Sequence, residues 1–125
     1  MKNELVLSTL GHTWLLDLDG TIVKHNGYKL DGKDSALEGA LDFLHSIPEK
    51  DFIIFITSRE EKFKDITENF LRENHIRYDK IIFGLPYGER ILINDKKPSG
   101  LEMSVAVNTT RDADFDLRFC ENALL

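Results

Sequence analysis

The chain has 125 residues, of which 42% are hydrophobic and 30% charged, with a formal net charge of -6. This balance predicts a single globular domain over residues 1–125, able to bury about two-thirds of its unfolded surface. It excludes duplex nucleic acid as a natural partner, because holding a polyanion depends on Lys and Arg displacing counterions and no basic stripe is visible. Cys120 is the only cysteine, so no internal disulfide forms. The longest apolar run, Phe52–Ile56, is too short to cross a bilayer. With no basic segment followed by a long apolar stretch at the start of the chain, the expected compartment is cytoplasmic, away from any membrane.

Taken in chain order, the first compact apolar run is Thr13-Trp14-Leu15-Leu16, ending at Asp17. A polar stretch over 23–34, with Gly27 and Gly32, reads as a loop or small flap. Ser35 and Glu38 have the spacing of a capping box, predicting a helix whose apolar face is Leu37, Leu41, Phe43, Leu44 and Ile47 and whose stop is Pro48. Phe52–Ile56 is the second apolar run and ends at Thr57. A second helix is predicted over 60–73, with Phe63, Ile66, Phe70 and Leu71 on one stripe. Ile81-Ile82-Phe83, Ile91-Leu92-Ile93 and Val105-Ala106-Val107 follow as further strand candidates. The tail from Thr109 onward is ambiguous: its Asp112, Asp114 and Asp116 suggest a cation site, but a solvated terminal segment is far commoner. Continuous apolar runs suit strands covered on both faces, and their alternation with helices predicts an α/β fold with a mostly parallel central sheet.

Ligands in such sheets lie beyond the carboxyl ends of the strands, where three runs here end in polar groups: Asp17 with Asp19, Thr57 with Ser58, and Asn94 with Asp95. Residues two apart in an extended segment share a side, so Asp17 and Asp19 can face one site while Leu18 faces the core. Three converging carboxylates repel one another unless a cation intervenes, and hard oxygen donors without His or Cys favour magnesium. A carboxylate in line with phosphorus can attack it, and a second can protonate the leaving oxygen. The Thr57 hydroxyl suits a phosphate oxygen and also a helix N-cap, two compatible roles. His12, His25, His45 and His75 are scattered without metal-ligand spacing.

The run Asp17-Leu18-Asp19-Gly20-Thr21 after an apolar strand resembles the first signature of the haloacid dehalogenase-like hydrolases. Ile56-Thr57-Ser58 resembles the second and Ile93-Asn94-Asp95 the fourth, together spanning about residues 13–108. The resemblance implies a Rossmann-like three-layer core with a minimal cap, a phosphomonoester hydrolase with Asp17 as nucleophile, and Asp19 as general acid/base. It also implies Mg2+ held by the Asp17 and Asp95 side chains and the Asp19 carbonyl, with Thr57 on the phosphate. Ser58 and Arg59 are further candidates for substrate, although Arg59 reads first as a solvated or salt-bridged residue. Thr57-Ser58-Arg59 and Phe83-Gly84-Leu85-Pro86 are similar to stretches of small members linked to capsule and lipopolysaccharide synthesis, which implies a sugar phosphate or a similar small phosphorylated substrate. The sequence departs from the family pattern at Asn94, where an acid is common, and at Leu85, where a lysine is expected. Lys80, Arg90 and Lys97 are the candidates for that missing cation. The competing expectation is a weak or inactive binding or regulatory module on the same fold. A site with so small a lid is open, which accommodates completion by a neighbouring subunit in a homodimer or tetramer.

Overall fold

The computed structural model describes residues 4–125. Its elements run β1 (Glu4–Leu7), β2 (Thr13–Asp17), α1 (Gly27–Leu30), α2 (Ala40–Ser46), β3 (Phe52–Ile56), α3 (Lys64–Glu73), β4 (Lys80–Ile82) and β5 (Arg118–Glu121). A 3-10 turn over Glu61–Phe63 leads into α3. The protein is α/β, with a three-stranded parallel sheet in the order β2-β3-β4 and a separate parallel pair, β1-β5. Helices α2 and α3 supply the crossovers that parallel neighbours require.

Pairing sets Trp14 beside Ile53 and Leu16 beside Phe55. These four side chains form one buried face and share a single cluster with Phe43 and Leu44 of α2 and Leu71 of α3. Trp14 meets the Phe43 ring edge-on, with centroids 5.5 Å apart, the offset that the ring quadrupoles favour. The opposite face is different. Leu15 and Ile82 are 47% and 44% exposed, and Phe52 is exposed as well. A run that reads in sequence as covered on both sides is therefore buried on one.

Several expectations are corrected. The helix predicted from Ser35 begins at Ala40, behind Gly39 at φ 85°, with no side-chain cap. The residues before it are tied to the flap instead: the Lys24 N–H donates to the Ser35 carbonyl, and Val23 bridges to Ala36. That pairing outcompetes a capping box, which needs the same backbone to turn. The predicted helix at 60–73 is present as the 3-10 turn and α3, with Thr67 and Leu71 on its buried side. Ile91–Ile93 and Val105–Val107 are not strands; no helix or strand forms between β4 and β5. Strand propensity has no consequence there because no neighbouring strand pairs with either run. The tail does not float: β5 pairs with β1, and Phe119 packs on Trp14 at 5.0 Å. Among the described residues, no helix is long and apolar enough to cross a membrane.

Candidate active site

The site grows from the end of β2. Leu18, 1% exposed, anchors the chain, and its carbonyl accepts from the N–H groups of Thr21, Ile22 and Val23. Gly20 at φ 83° makes this tight turn without strain. The turn returns Thr21 to Asp17, whose Oδ2 accepts from Thr21 Oγ1 at 3.0 Å. A carboxylate with one oxygen so held presents the other outward. Arg90 Nη1 lies 3.4 Å from that second oxygen, Oδ1. Of the three candidate cations, Arg90 is the one beside Asp17. Lys80 sits on β4, and the Lys97 backbone closes a turn with Leu101.

Asp19 is held by Arg59, whose guanidinium is 1% exposed. Nε and Nη2 each donate to Asp19 at 3.0 Å, Nη1 and Nη2 donate to Asp34 at 3.0 and 2.6 Å, and Nη1 donates to Thr67 Oγ1 at 2.8 Å. All five N–H donors of the side chain are thus in use. Its plane lies over the Tyr28 ring of α1, 4.0 Å from the centroid. Burial favours the neutral form of Arg59, but the hydrogen bonds and charges of Asp34 and Asp19 outweigh it and raise its pKa above the ordinary value. Arg59 therefore has no donor free for a substrate. It is a strut joining the flap, the end of β3 and Asp19, salt-bridged as one of its two readings has it but buried rather than solvated.

Asp17, Asp19, Ser58 and Arg90 line one open cleft of about 220 Å³ with His25, Lys29 and Arg111. This is below the roughly 300–1,000 Å³ of sites for drug-sized ligands, so it suits a small head group. Ser58 Oγ donates to the Pro86 carbonyl at 3.3 Å. Thr57 is 1% exposed and outside the lining; its Oγ1 accepts from the Arg59 N–H at 3.0 Å, and its own N–H donates to Ile82. Asp95 is exposed and also outside the cleft, beside Asn94.

The contacts of Arg111, His25 and Asp34 escaped the sequence reading; the first two line the cleft, and Asp34 lies behind it on Arg59. Arg111 is brought over the turn because the Asp112 N–H donates to the Gly20 carbonyl. A Cβ on Gly20 would come within 2.9 Å of Arg111 Cγ, so the glycine also admits this side chain. Asp112 then accepts from the His25 N–H at 2.8 Å. His25 Nδ1 is buried without a hydrogen-bond partner, the one such side-chain atom found among the described residues. No sequence signal marks these contacts, since each joins segments about 90 residues apart. Asp34 is the third; it closes a polar stretch and looks like any solvated acid.

The magnesium implied by the resemblance needs several oxygen donors in near-octahedral array. Among the described residues no group of three or more His, Cys, Asp or Glu side chains is placed to hold a metal ion. Asp17 and Asp19 face Arg90 and Arg59, and Asp95 is elsewhere. The residues of one chain do not fit the ion. Comparisons with family models, curated proteins and solved structures return no match to the chain.

Proposed function

We propose that the protein hydrolyses phosphomonoesters of small metabolites such as sugar phosphates, on a Rossmann-like core of the haloacid dehalogenase type. The observation that carries this reading is the Asp17 carboxylate, oriented by Thr21 at a strand end and flanked by Arg90 in a cleft that also presents Lys29 and Arg111. Cations around a fixed carboxylate solve the problem of bringing one anion against another. The unpartnered His25 Nδ1 adds a polar wall atom that a ligand would satisfy.

In this mechanism an Asp17 oxygen bonds to phosphorus as the P–O ester bond breaks, and the electron pair leaves on the alcohol oxygen. Asp19 supplies the proton for that oxygen. Water then attacks the aspartyl phosphate, Asp19 takes its proton, and inorganic phosphate departs with the Asp17 carboxylate restored. To act, Asp19 must turn one oxygen away from Arg59, so Arg59 sets its resting position. A bound magnesium ion would neutralise the transferring group, but the described residues of one chain do not assemble its ligands.

A binding or regulatory module is the second reading, favoured by the engagement of both Asp19 oxygens by Arg59. Turnover of sugar phosphates and a chromogenic phosphate ester, with and without magnesium, separates the two. The expected result is hydrolysis by the native chain, lost by about 1,000-fold or more in Asp17→Asn and cut about 100-fold in Arg90→Ala. Phosphate binding without turnover on any ester would establish the module instead.

A further inference from the structure

The stretch between β4 and β5 is anomalous for a compact chain. Connections with no regular structure rarely exceed about 12–15 residues, yet no helix or strand forms from Phe83 to Leu117. It runs outward, turns where the Gly100 N–H donates to Lys97 and the Lys97 N–H to Leu101, and returns. Ile91, Leu92 and Ile93 on the outward limb and Met103, Val105 and Val107 on the return are all exposed, Ile91 and Ile93 by 82% and 90%. The parallel sheet, for its part, lacks cover. In register, Leu15 neighbours Ile54, and Ile56 neighbours Ile82, forming a half-exposed apolar face. β2 also has no strand on its edge away from β3 among the described residues. Parallel sheets are otherwise found covered on both faces.

Surface area points the same way. The chain exposes 8399 Å², whereas a compact monomer of this mass exposes about 6,800 Å². The excess, about 1,600 Å², is about twice what each partner buries in a standard interface and suits an obligate association. We infer that the arm between Leu85 and Val107 docks on the β2-β3-β4 sheet of a second copy of this chain and carries Asp95 to that copy's Asp17. The pattern matches residue for residue. Thr13, Leu15 and Asp17 share one side of β2 at a period of two, and Ile91, Ile93 and Asp95 share one side of an extended arm at the same period. Laid along the open edge of β2, Ile91 falls by Thr13, Ile93 by Leu15 and Asp95 by Asp17. The chain's own arm cannot take that register, because Arg90 Nη1 is held 3.4 Å from Asp17, whereas Arg90 would have to lie beside His12, five residues or about 16 Å along the strand and beyond its start. The second copy supplies both the missing cover and the third carboxylate.

The docking stands on apolar surface alone; the Asp95 contribution rests on the proposed hydrolase reading. Light scattering on the eluting native chain should give at least twice 14.4 kDa. The double variant Ile91→Asp/Ile93→Asp and, separately, Leu15→Lys should elute as monomers with unchanged far-ultraviolet circular dichroism. A monomeric native chain, or variants that keep the native assembly, would overturn the docking. Mixing Asp17→Asn with Asp95→Asn, each inactive alone, under conditions of subunit exchange should restore about one quarter of native turnover in a dimer. An active native assembly whose mixed variants stay silent would overturn the Asp95 contribution. An assembly that forms and dissociates as described without turnover in any chain would remove the hydrolase reading and leave the docking intact.

Discussion

Replacing Asp34 by Ala isolates the strut beneath the site. In the native chain, Asp34 and Arg59 have side chains each 1% exposed, joined by bonds of 2.6 and 3.0 Å. Removing one member of a buried pair leaves a charge without compensation, which costs about 3–5 kcal/mol. Asp19 and Thr67 still hold three of the five Arg59 donors, which places the loss toward the lower end, about 3 kcal/mol. With a urea m-value of about 2 kcal/mol per molar, the unfolding midpoint should fall by about 1.5 M. Asp31→Ala is the control, since the Lys24–Asp31 pair is 46% and 41% exposed and such pairs contribute about 0–1 kcal/mol. Urea titrations followed by Trp14 fluorescence measure both. An Asp34→Ala midpoint indistinguishable from that of Asp31→Ala would refute the view that Arg59 is a buried strut.

Three further outcomes follow. Asp51, 2% exposed, accepts from Trp14 Nε1, the His12 N–H and His12 Nδ1 at 2.9–3.0 Å; burial would raise its pKa, but these bonds outweigh it and hold it below the ordinary 3.8. Because the folded value is the lower one, the stabilisation is complete above pH 3.8 and is lost as pH falls through the folded value. Asp51→Asn should therefore be destabilised by about 2 kcal/mol at neutral pH, with the gap from the native chain closing in denaturation curves taken below pH 4; a gap constant down to pH 2 contradicts the linkage. Gly39→Ala should cost about 2 kcal/mol or more in thermal unfolding, because φ is 85° and the new Cβ would collide with the Phe115 carbonyl; a change below about 0.5 kcal/mol would show that the tail yields freely. Thr21→Val keeps the shape but removes the donor to Asp17, so kcat should drop about tenfold with little change in KM; an unaltered kcat would show that the turn alone orients the carboxylate.

The legible parts of this chain were those with local causes. Thr13–Leu16 and Phe52–Ile56 could be read as strands because unbroken apolar runs of that length have few other homes, and both are strands. The stripe through α3 followed from helical spacing, and the turn after Asp17 followed from Gly20. What could not be read depends on partners distant in sequence. β1 is four residues long, and its partner β5 lies over a hundred residues away. Ser35 and Glu38 satisfy a local capping rule, yet Lys24 and Val23 take that backbone into another pairing. Ile91–Ile93 has the composition of a strand and stays unpaired. Arg59 could be read only as solvated or salt-bridged, and Asp34, Thr67 and Tyr28, which fix its place, are visible only once the flap folds over it.

Sequence alone thus determined that β2 runs into Asp17 and Asp19 and β3 into Thr57 and Ser58, because short-range periodicity and turn chemistry act over a few residues. Tertiary structure alone decided which of those groups meet. It brought Arg90, Arg111 and His25 to the cleft with Asp17 while leaving Thr57 buried and Asp95 outside. Convergence of that kind is a property of chain closure over tens of residues, and its free energy is set by packing that no local pattern encodes.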